Sequence, residues 1–210
     1  MTRPHRLICF IGTRTEVGKT WCATRLLARA RKKGLRVAAR KPVQSYENSH
    51  MNTDAAELAR ASLEEERDVC LPFRSYAIAL APPMAADVLR RERILLDDLI
   101  AEMRWPDAID MGIVETVGGP RSPIAHDADS VDLVRRLNPD QVVLVVDAGL
   151  GALNATRLSL AALEPMETIV FLNRYDANIE SHRLNRQWLI ERYAMRAVTT
   201  VDELLEQLGV

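Results

Sequence analysis

Five short, largely apolar segments constrain the fold of this chain more than any other feature. Each has four or five residues and precedes polar or glycine-rich residues, and they lie at 7–11, 35–39, 111–114, 142–146 and 168–172. Such runs are typical of parallel strands buried on both faces of a sheet. Helical patterns occupy the sequence between and after them, at 20–33, 54–61, 130–137, 152–163 and 180–193. Strands that alternate with helices predict a three-layer α/β fold with a mainly parallel, doubly wound sheet.

Smaller elements complete this prediction. We expect a brief edge strand at 71–73, one or two helices between 82 and 104, and a last helix at 201–208 that begins with a capping box of Thr200 and Glu203. Asn52 or Thr53 is expected to cap a helix that starts at Asp54. No repeat or Gly/Ser-rich linker divides the 210 residues, so we predict a single domain over 1–210.

The charge balance excludes recruitment of a partner by a global electrostatic field. The chain has 28 Lys and Arg against 29 Asp and Glu, a formal net charge of −1, and only 5% aromatic residues. We therefore expect neither a nucleic acid nor a membrane as partner. No apolar run approaches the ~18 residues that a membrane span needs. Three cysteines without CxxC spacing suit a reducing compartment, so we expect a cytoplasmic protein.

The first apolar run leads into a glycine-bearing loop that opens a helix. The loop reads Gly-Thr-Arg-Thr-Glu-Val-Gly-Lys-Thr over 12–20. Gly-Lys-Thr in this context is typical of a P-loop, in which backbone N–H groups surround phosphates, the lysine neutralises β/γ oxygens and the threonine hydroxyl reaches Mg²⁺. We therefore predict a P-loop NTPase-like fold that binds a nucleotide together with Mg²⁺. The predicted nucleotide-binding residues of the loop are Thr13, Arg14, Thr15, Glu16, Val17, Gly18, Lys19 and Thr20.

Charged residues also follow other predicted strands. The segment 41–45 lies at the end of the second strand, adjacent to the P-loop in a doubly wound sheet, and a lysine there, Lys41, suits a transferring phosphoryl group or a carbamate. Asp54 opens a helix, and Glu115 ends the third apolar run, from which an acid can complete a Mg²⁺ shell. With Thr20 they predict an oxygen-only Mg²⁺ site. A surface lysine and a simple helix cap are the alternative interpretations of Lys41 and Asp54.

Several motifs follow one another in a specific order. They are Gly-Thr-x-Thr-Glu-Val-Gly-Lys-Thr (12–20), Lys-Pro-Val-x-Ser (41–45), Asp54, Ala-Pro (81–82), Val-Glu-x-x-Gly-Gly (114–119), Gly-Leu-Gly-x-Leu-Asn (149–154) and Asn173. In this order, over roughly residues 5–175, the set resembles the dethiobiotin synthetase family of ATP-dependent ligases. Any one of the motifs alone would be a weak signal.

The resemblance implies a reaction on 7,8-diaminononanoate, a diamine with a carboxylate tail. One amine takes up CO₂ to form a carbamate, ATP phosphorylates the carbamate to a mixed anhydride, and the second amine closes a cyclic urea. Lys19 and Lys41, with Mg²⁺, would bring the two anions together, while Thr15 and Ser45 would hydrogen-bond the carbamate or phosphate oxygens. Lys41 and Ser45 would thus also bind substrate. The implied small-molecule partners are the diamine, CO₂ or bicarbonate, and ATP.

The resemblance also implies that one helix start serves a neighbouring subunit. Gly118 and the segment that contains Leu150, Gly151 and Asn154 would bind substrate, the segment by offering free N–H groups to the carboxylate tail. In the family this helix comes from the partner subunit, which implies a homodimer with shared active sites. Asn173 resembles the residue that reads the adenine edge.

The chain departs from the family pattern within its motifs. Arg14 stands where the family has an acidic or small residue, and Thr13 where a P-loop has its first glycine. An arginine would repel a diamine, and Arg14 also lies five residues before Lys19, the place of the signature lysine in deviant P-loop ATPases. Thr116 and Val117 replace smaller residues between Glu115 and the paired glycines. Their side chains leave less room for a ligand to approach the backbone there.

Two further positions depart from the family pattern. Tyr46 stands where glycine is common, and Arg-Tyr-Asp (174–176) follows Asn173 instead of a base-contacting Gly-x-hydrophobic-Pro segment.

Three functions are compatible with these residues. The leading hypothesis is the carbamate-activating cyclo-ligase. The second is a related ATP-dependent ligase acting on another amine or carboxylate, suggested by Arg14 and the bulkier residues. The third is a nucleotide-switched dimer of the deviant P-loop class, suggested by Arg14 alone.

Overall fold

A parallel sheet organises the molecule. The computed structural model describes residues 3–47 and 52–209. Its strands are β1 (Arg6–Gly12), β2 (Val37–Arg40), β3 (Gln44–Ser45), β4 (Ser75–Tyr76), β5 (Met111–Glu115), β6 (Gln141–Asp147), β7 (Thr168–Asn173) and β8 (Ala197–Val198). Six of them form one sheet in the order β2-β5-β1-β6-β7-β8, and each neighbouring pair is parallel. β3 and β4 form a separate parallel pair.

Helices cover the sheet and connect its strands. They are α1 (Lys19–Lys32), α2 (Asp54–Ser62), α3 (Glu66–Val69), α4 (Pro82–Val88), α5 (Leu96–Glu102), α6 (Ser130–Leu137), α7 (Ala152–Leu163), α8 (Glu180–Tyr193) and α9 (Val201–Gln207). Of the two predicted caps for α2, Thr53 is confirmed, because its side chain accepts a hydrogen bond from the Ala56 N–H. The predicted bounds of α7 and α8 match the structure.

The central strand shows why the fold has three layers. Successive side chains of a strand point to opposite faces. Leu7, Cys9 and Ile11 belong to one buried cluster, whereas Ile8 and Phe10 belong to the other. Both faces of β1 are therefore apolar and covered. Full burial of one such side chain contributes about 1.5–3 kcal/mol relative to its exposure, so the continuous apolar run favours this layered arrangement.

Two local predictions were wrong or only partly right. Residues Pro72–Arg74 form a 3-10 turn, and the short strand comes after it at Ser75–Tyr76. Pro72 lacks an N–H and has a fixed φ, which suits the first position of a helical turn better than a strand. At α9, Thr200 accepts from the Glu203 N–H as a capping box requires, but the Glu203 carboxylate accepts from the Thr199 N–H instead of Thr200.

The segment after the second strand was predicted to lie adjacent to the P-loop, and it lines the same cavity as the loop, although the two strands are not neighbours in the sheet. β5 lies between β1 and β2, so the strand that precedes Lys41 is not adjacent to the P-loop strand. The arrangement still brings the carboxyl ends of β1, β2 and β5 to one edge of the sheet, where ligands bind in such folds. Among the residues that the structure describes, no helix is long and apolar enough to cross a membrane.

Candidate nucleotide and substrate site

The loop between β1 and α1 has the backbone that a P-loop needs. Gly18 precedes α1 with a φ of 98°, a left-handed conformation that favours glycine. A Cβ on Gly119 would lie 2.9 Å from the Thr13 carbonyl oxygen, and one on Gly12 would lie 2.9 Å from the Arg14 carbonyl oxygen. Because these two glycines have no side chain, the turn after β5 and the carboxyl end of β1 can approach the loop backbone closely.

Four side chains from separate elements meet below the loop and form a charged cluster of Thr20, Lys41, Asp54 and Glu115. The Thr20 hydroxyl lies 3.0 Å from Asp54 Oδ1 and 2.9 Å from Glu115 Oε1. Lys41 Nζ donates to Asp54 Oδ2 at 2.8 Å and to Glu115 Oε1 at 2.7 Å. The sequence therefore predicted a set of residues that the fold does bring together.

Burial sets the electrostatics of this cluster. The side chains of Lys41 and Glu115 are 2% and 0% exposed. Burial raises the pKa of Glu115. Burial alone would lower the pKa of Lys41, but the carboxylates of Asp54 and Glu115 outweigh it and raise that pKa, while Lys41 lowers the pKa of Asp54. Burial and the nearby Lys41 lower the pKa of Lys19 to about 8, and its ammonium donates to the Arg14 carbonyl at 3.4 Å, without a carboxylate partner among the described residues.

The chemistry of the cluster fits a magnesium ion. Thr20, Asp54 and Glu115 offer hydroxyl and carboxylate oxygens, the hard donors that Mg²⁺ prefers. Glu115 Oε2 is buried and has no hydrogen-bond partner among the described residues. An orphaned buried carboxylate oxygen is costly unless a cation or donor satisfies it. The predicted ligand set is therefore compatible with the metal.

A cavity of about 750 Å³ opens beside the cluster. The predicted site residues that line it are Thr15, Glu16, Gly18, Lys19, Thr20, Lys41, Ser45, Asp54 and Gly118. Tyr46 and Val117, two of the bulkier departures, line it as well. The Ser45 hydroxyl donates to the Leu80 carbonyl at 2.6 Å, so it faces a substrate oxygen as a donor only if it leaves that bond.

Other predicted residues lie outside the cavity lining. Of the described residues, Leu150, Gly151 and Asn154 are exposed at the start of α7, and Leu150 is fully exposed. Arg14 is exposed too, with its guanidinium 3.7 Å from Asp147. The Arg14 guanidinium therefore lies toward the β6 end, and Arg14 is not among the described residues that line the cavity.

Similarity to known proteins agrees with this site. A family model described as an AAA domain matches residues 6–193. An ATP-dependent dethiobiotin synthetase of Caulobacter vibrioides is 36% identical over 75% of this chain and 78% of its own length. That of Haloferax mediterranei is 34% identical over 91% and 82%. The chain belongs to the dethiobiotin synthetase family. A third member, from Chromohalobacter salexigens, is 39% identical, and the match covers 72% of this chain and 66% of the relative.

Solved structures confirm the fold of this dethiobiotin synthetase family member. A putative plasmid partition protein of Borrelia burgdorferi bound to AMPPNP superimposes with a TM-score of 0.58, covering 99% of both chains at 13% identity. The signal recognition particle receptor FtsY of Elizabethkingia anophelis in complex with GDP gives 0.54, covering 97% of this chain and 59% of the receptor at 18% identity. Both are nucleotide-bound, and the predicted P-loop NTPase-like α/β class is confirmed.

Asn173 lies beneath the phosphate loop. Its Nδ2 donates to the Val17 carbonyl at 2.9 Å, and a Cβ on Gly18 would lie only 2.1 Å from that nitrogen. This buried amide therefore supports the loop in the structure. Its predicted contact with adenine remains a prediction.

Arg174 and Asp147 form a contact that the sequence did not predict. Arg174 donates to Asp147 at 2.7 Å and to the Glu16 carbonyl at 3.0 Å. Burial opposes ionisation of Asp147, but hydrogen bonds from the Gly149 N–H and Arg174 lower its pKa. The only sequence signal for this contact was the position of the two residues, since each lies at the carboxyl end of a strand and these two ends meet at the site.

Proposed function

We propose that this protein catalyses the ATP- and Mg²⁺-dependent ring closure of 7,8-diaminononanoate with CO₂ to dethiobiotin. The observation that carries the proposal is the convergence of two lysines and an oxygen-only cluster at one cavity. Lys19, Lys41 and Ser45 all line this cavity, next to Thr20 and Asp54. Membership of the dethiobiotin synthetase family supports the same reaction.

The two lysines serve different anions in this proposal. Lys19 opens α1 with a lowered pKa, so phosphate oxygens would restore the counter-charge that its buried ammonium lacks. Lys41 is held by ion pairs with Asp54 and Glu115, and it lines the same cavity as Ser45. A carbamate bound between Thr15 and Ser45 would meet the Lys41 ammonium. Clustered cations of this kind lower the barrier to joining two anions.

The proposed reaction has three covalent steps. One amine nitrogen attacks CO₂ and loses a proton, which gives the carbamate. A carbamate oxygen then attacks the γ-phosphorus, and the bond to ADP breaks. The second amine attacks the carbonyl carbon, phosphate leaves with the bonding electron pair, and the attacking nitrogen loses a proton as the ring closes. Mg²⁺, held by Thr20, Asp54 and Glu115, would supply charge neutralisation for the phosphate oxygens.

An isotope experiment tests this reaction directly. The protein is incubated with ATP, Mg²⁺, ¹³C-bicarbonate and 7,8-diaminononanoate, and the products are analysed by mass spectrometry. We expect a cyclic urea that carries one ¹³C, formed together with ADP and phosphate. A reaction without diamine and a Lys19→Ala variant serve as controls. Absence of the labelled ring at every Mg²⁺ and nucleotide concentration would overturn the assignment.

A second candidate is supported by the cavity wall. Tyr46 and Val117 line the cavity where the family carries smaller residues. These side chains leave less room than glycine or alanine would, which suits a related ligase acting on another amine or carboxylate. Thermal-shift measurements with a panel of diamines and amino acids distinguish the two candidates. Stabilisation by diaminononanoate alone would exclude the second.

The nucleotide-switched dimer has less support. It was suggested by Arg14, whose nearest ionic partner in the structure is Asp147 of the same chain. Lys41 and Ser45 would have no role in such a switch. Light scattering with ATP and ADP tests it, and a dimer that forms only with ATP would favour it.

We also propose one domain, a homodimer and a cytoplasmic location. The six-stranded sheet with a buried cluster on each face supports the single domain. The fully exposed Leu150 beside Asn154 supports a partner subunit that uses this segment. The three cysteines are buried thiols, as a reducing compartment allows. Light scattering at several protein concentrations tests the dimer.

A further inference from the structure

Two consecutive carbonyl groups of the phosphate loop are held by two consecutive side chains at the end of β7. Asn173 Nδ2 donates to the Val17 carbonyl at 2.9 Å, and the Arg174 guanidinium donates to the Glu16 carbonyl at 3.0 Å. Asn173 is buried, whereas the Arg174 side chain is 56% exposed. The carboxyl end of β7 therefore holds the outer side of the loop.

Peptide geometry gives this contact a consequence for the opposite side of the loop. In a planar trans peptide the C=O of one residue and the N–H of the next point in opposite directions. Holding the carbonyls of Glu16 and Val17 toward β7 therefore directs the N–H groups of Val17 and Gly18 away from β7. Consecutive N–H groups presented on one side are what a phosphate needs. Glu16 has a φ of 59°, an uncommon value for a non-glycine residue that needs support from its surroundings.

The guanidinium is itself held in place. Arg174 has a left-handed φ of 56°, and its second contact is the Asp147 carboxylate at 2.7 Å. Asp147 also accepts from the Gly149 N–H at 3.0 Å, and Arg14 approaches it at 3.7 Å. Arg174 is therefore fastened to the β6 end while it binds the loop.

We propose that Arg174 is a positioning residue that orients the phosphate loop for the triphosphate. It acts through the Glu16 carbonyl, and the inference rests on the proposed use of ATP. The alternative role for a residue directly after Asn173 is contact with the base or ribose. The two roles differ in one respect, because only a positioning residue affects a ligand that has no base.

The test compares two ligands by isothermal titration calorimetry, inorganic tripolyphosphate and ADP. The variants are Arg174→Ala and Arg174→Gly, and Arg183→Ala is the control because it removes the same charge from an exposed site on α8. We expect both ligands to bind about tenfold more weakly to the two Arg174 variants, the size of effect expected for one lost charge-assisted hydrogen bond. The control should bind both ligands like the parent protein.

Amide hydrogen exchange supplies a second readout. Residues 15–19 should exchange faster in the Arg174 variants, while the strands of the sheet keep their protection. Arg174→Gly keeps the test valid if Arg174→Ala folds poorly, because glycine adopts the left-handed backbone without strain.

Each outcome decides the matter. Weaker ADP binding with unchanged tripolyphosphate binding would assign Arg174 to the base or ribose and overturn the proposal. Unchanged binding of both ligands would overturn it as well. Normal tripolyphosphate and ADP binding by the parent protein, without any labelled cyclic urea, would count against the proposed reaction and leave this inference standing.

Discussion

The two ends of the site are built in different ways. The charged cluster of Thr20, Lys41, Asp54 and Glu115 contains a lysine and a glutamate that are almost fully buried, and its members contact one another at 2.7–3.0 Å. The outer end, where Arg174 bridges Asp147 and the phosphate loop, uses half-exposed side chains. The residues of the cluster belong to the motifs that resemble the family's, whereas Arg174 lies in a segment that departs from them.

This difference follows from the energetics of burial. A buried charge that loses its partner is strongly destabilising, so each member of the cluster restricts the others. Exposed ion pairs contribute little, because water and salt replace them readily. Replacing a residue of the outer end should therefore change the position of the loop and the affinity for ligands more than the stability of the fold. We expect substitutions at the two ends to differ in size by orders of magnitude.

The largest effect is expected at the two lysines. Lys19→Ala and Lys41→Ala should each lower kcat/KM by about a thousandfold or more, because each removes a cation that stabilises charge in the transition state. Steady-state ADP release with diaminononanoate and bicarbonate measures the loss. Unchanged activity in Lys41→Ala would show that this lysine is structural.

Misfolding must be separated from lost catalysis in this case. Lys41→Ala leaves Glu115 buried without its partner, which costs about 3–5 kcal/mol of stability. The double variant Lys41→Met with Glu115→Gln removes both charges and should recover most of that stability. If it regains the melting temperature without regaining activity, misfolding does not account for the lost catalysis, and the reaction needs the Lys41 cation, the Glu115 metal ligand or both.

The next effect concerns the segment at the start of α7. If a partner subunit supplies Asn154, Lys19→Ala and Asn154→Ala variants should each be inactive alone. Mixed in equal amounts and allowed to exchange subunits, they should recover about a quarter of parental activity, because half of the dimers are mixed and each has one intact site. A mixture that stays inactive after proven exchange would place both residues in sites of the same subunit.

A smaller effect is expected on metal affinity. Glu115→Gln should weaken Mn²⁺ binding in the presence of ADP by about tenfold or more, because a neutral amide is a poorer ligand for a hard cation. Electron paramagnetic resonance of free Mn²⁺ reports this directly. Glu64→Gln is the matched control, since Glu64 is also a largely buried carboxylate but pairs with Arg40 at 2.6 Å. Equal weakening in both variants would contradict the assigned ligand.

The same contrast explains what the sequence could predict. Thr20, Asp54 and Glu115 were predicted together because each follows a strand or opens a helix within a recognisable motif. The strand order was not, because nothing local in residues 35–39 shows that β5 pairs between β1 and β2. Arg174 was missed for a related reason. Its guanidinium reaches Glu16 from a left-handed backbone with a φ of 56°, and no pattern in Arg-Tyr-Asp encodes that turn.

The smallest effect is expected at Asp147, and its pH dependence gives the sharpest contrast with the cluster. Asp147→Asn should lower the free energy of unfolding at pH 7 by less than about 1 kcal/mol, since its arginine partners are more than half exposed. The folded-state pKa of Asp147 is below its ordinary value, so its contribution is present above that ordinary value and is lost as pH falls through the lowered one. Urea unfolding of both proteins from neutral to acid pH should therefore show curves that converge at the acid end. A loss at pH 7 as large as that for breaking the Lys41–Glu115 pair would mean that the outer end restricts the fold as strongly as the buried cluster does.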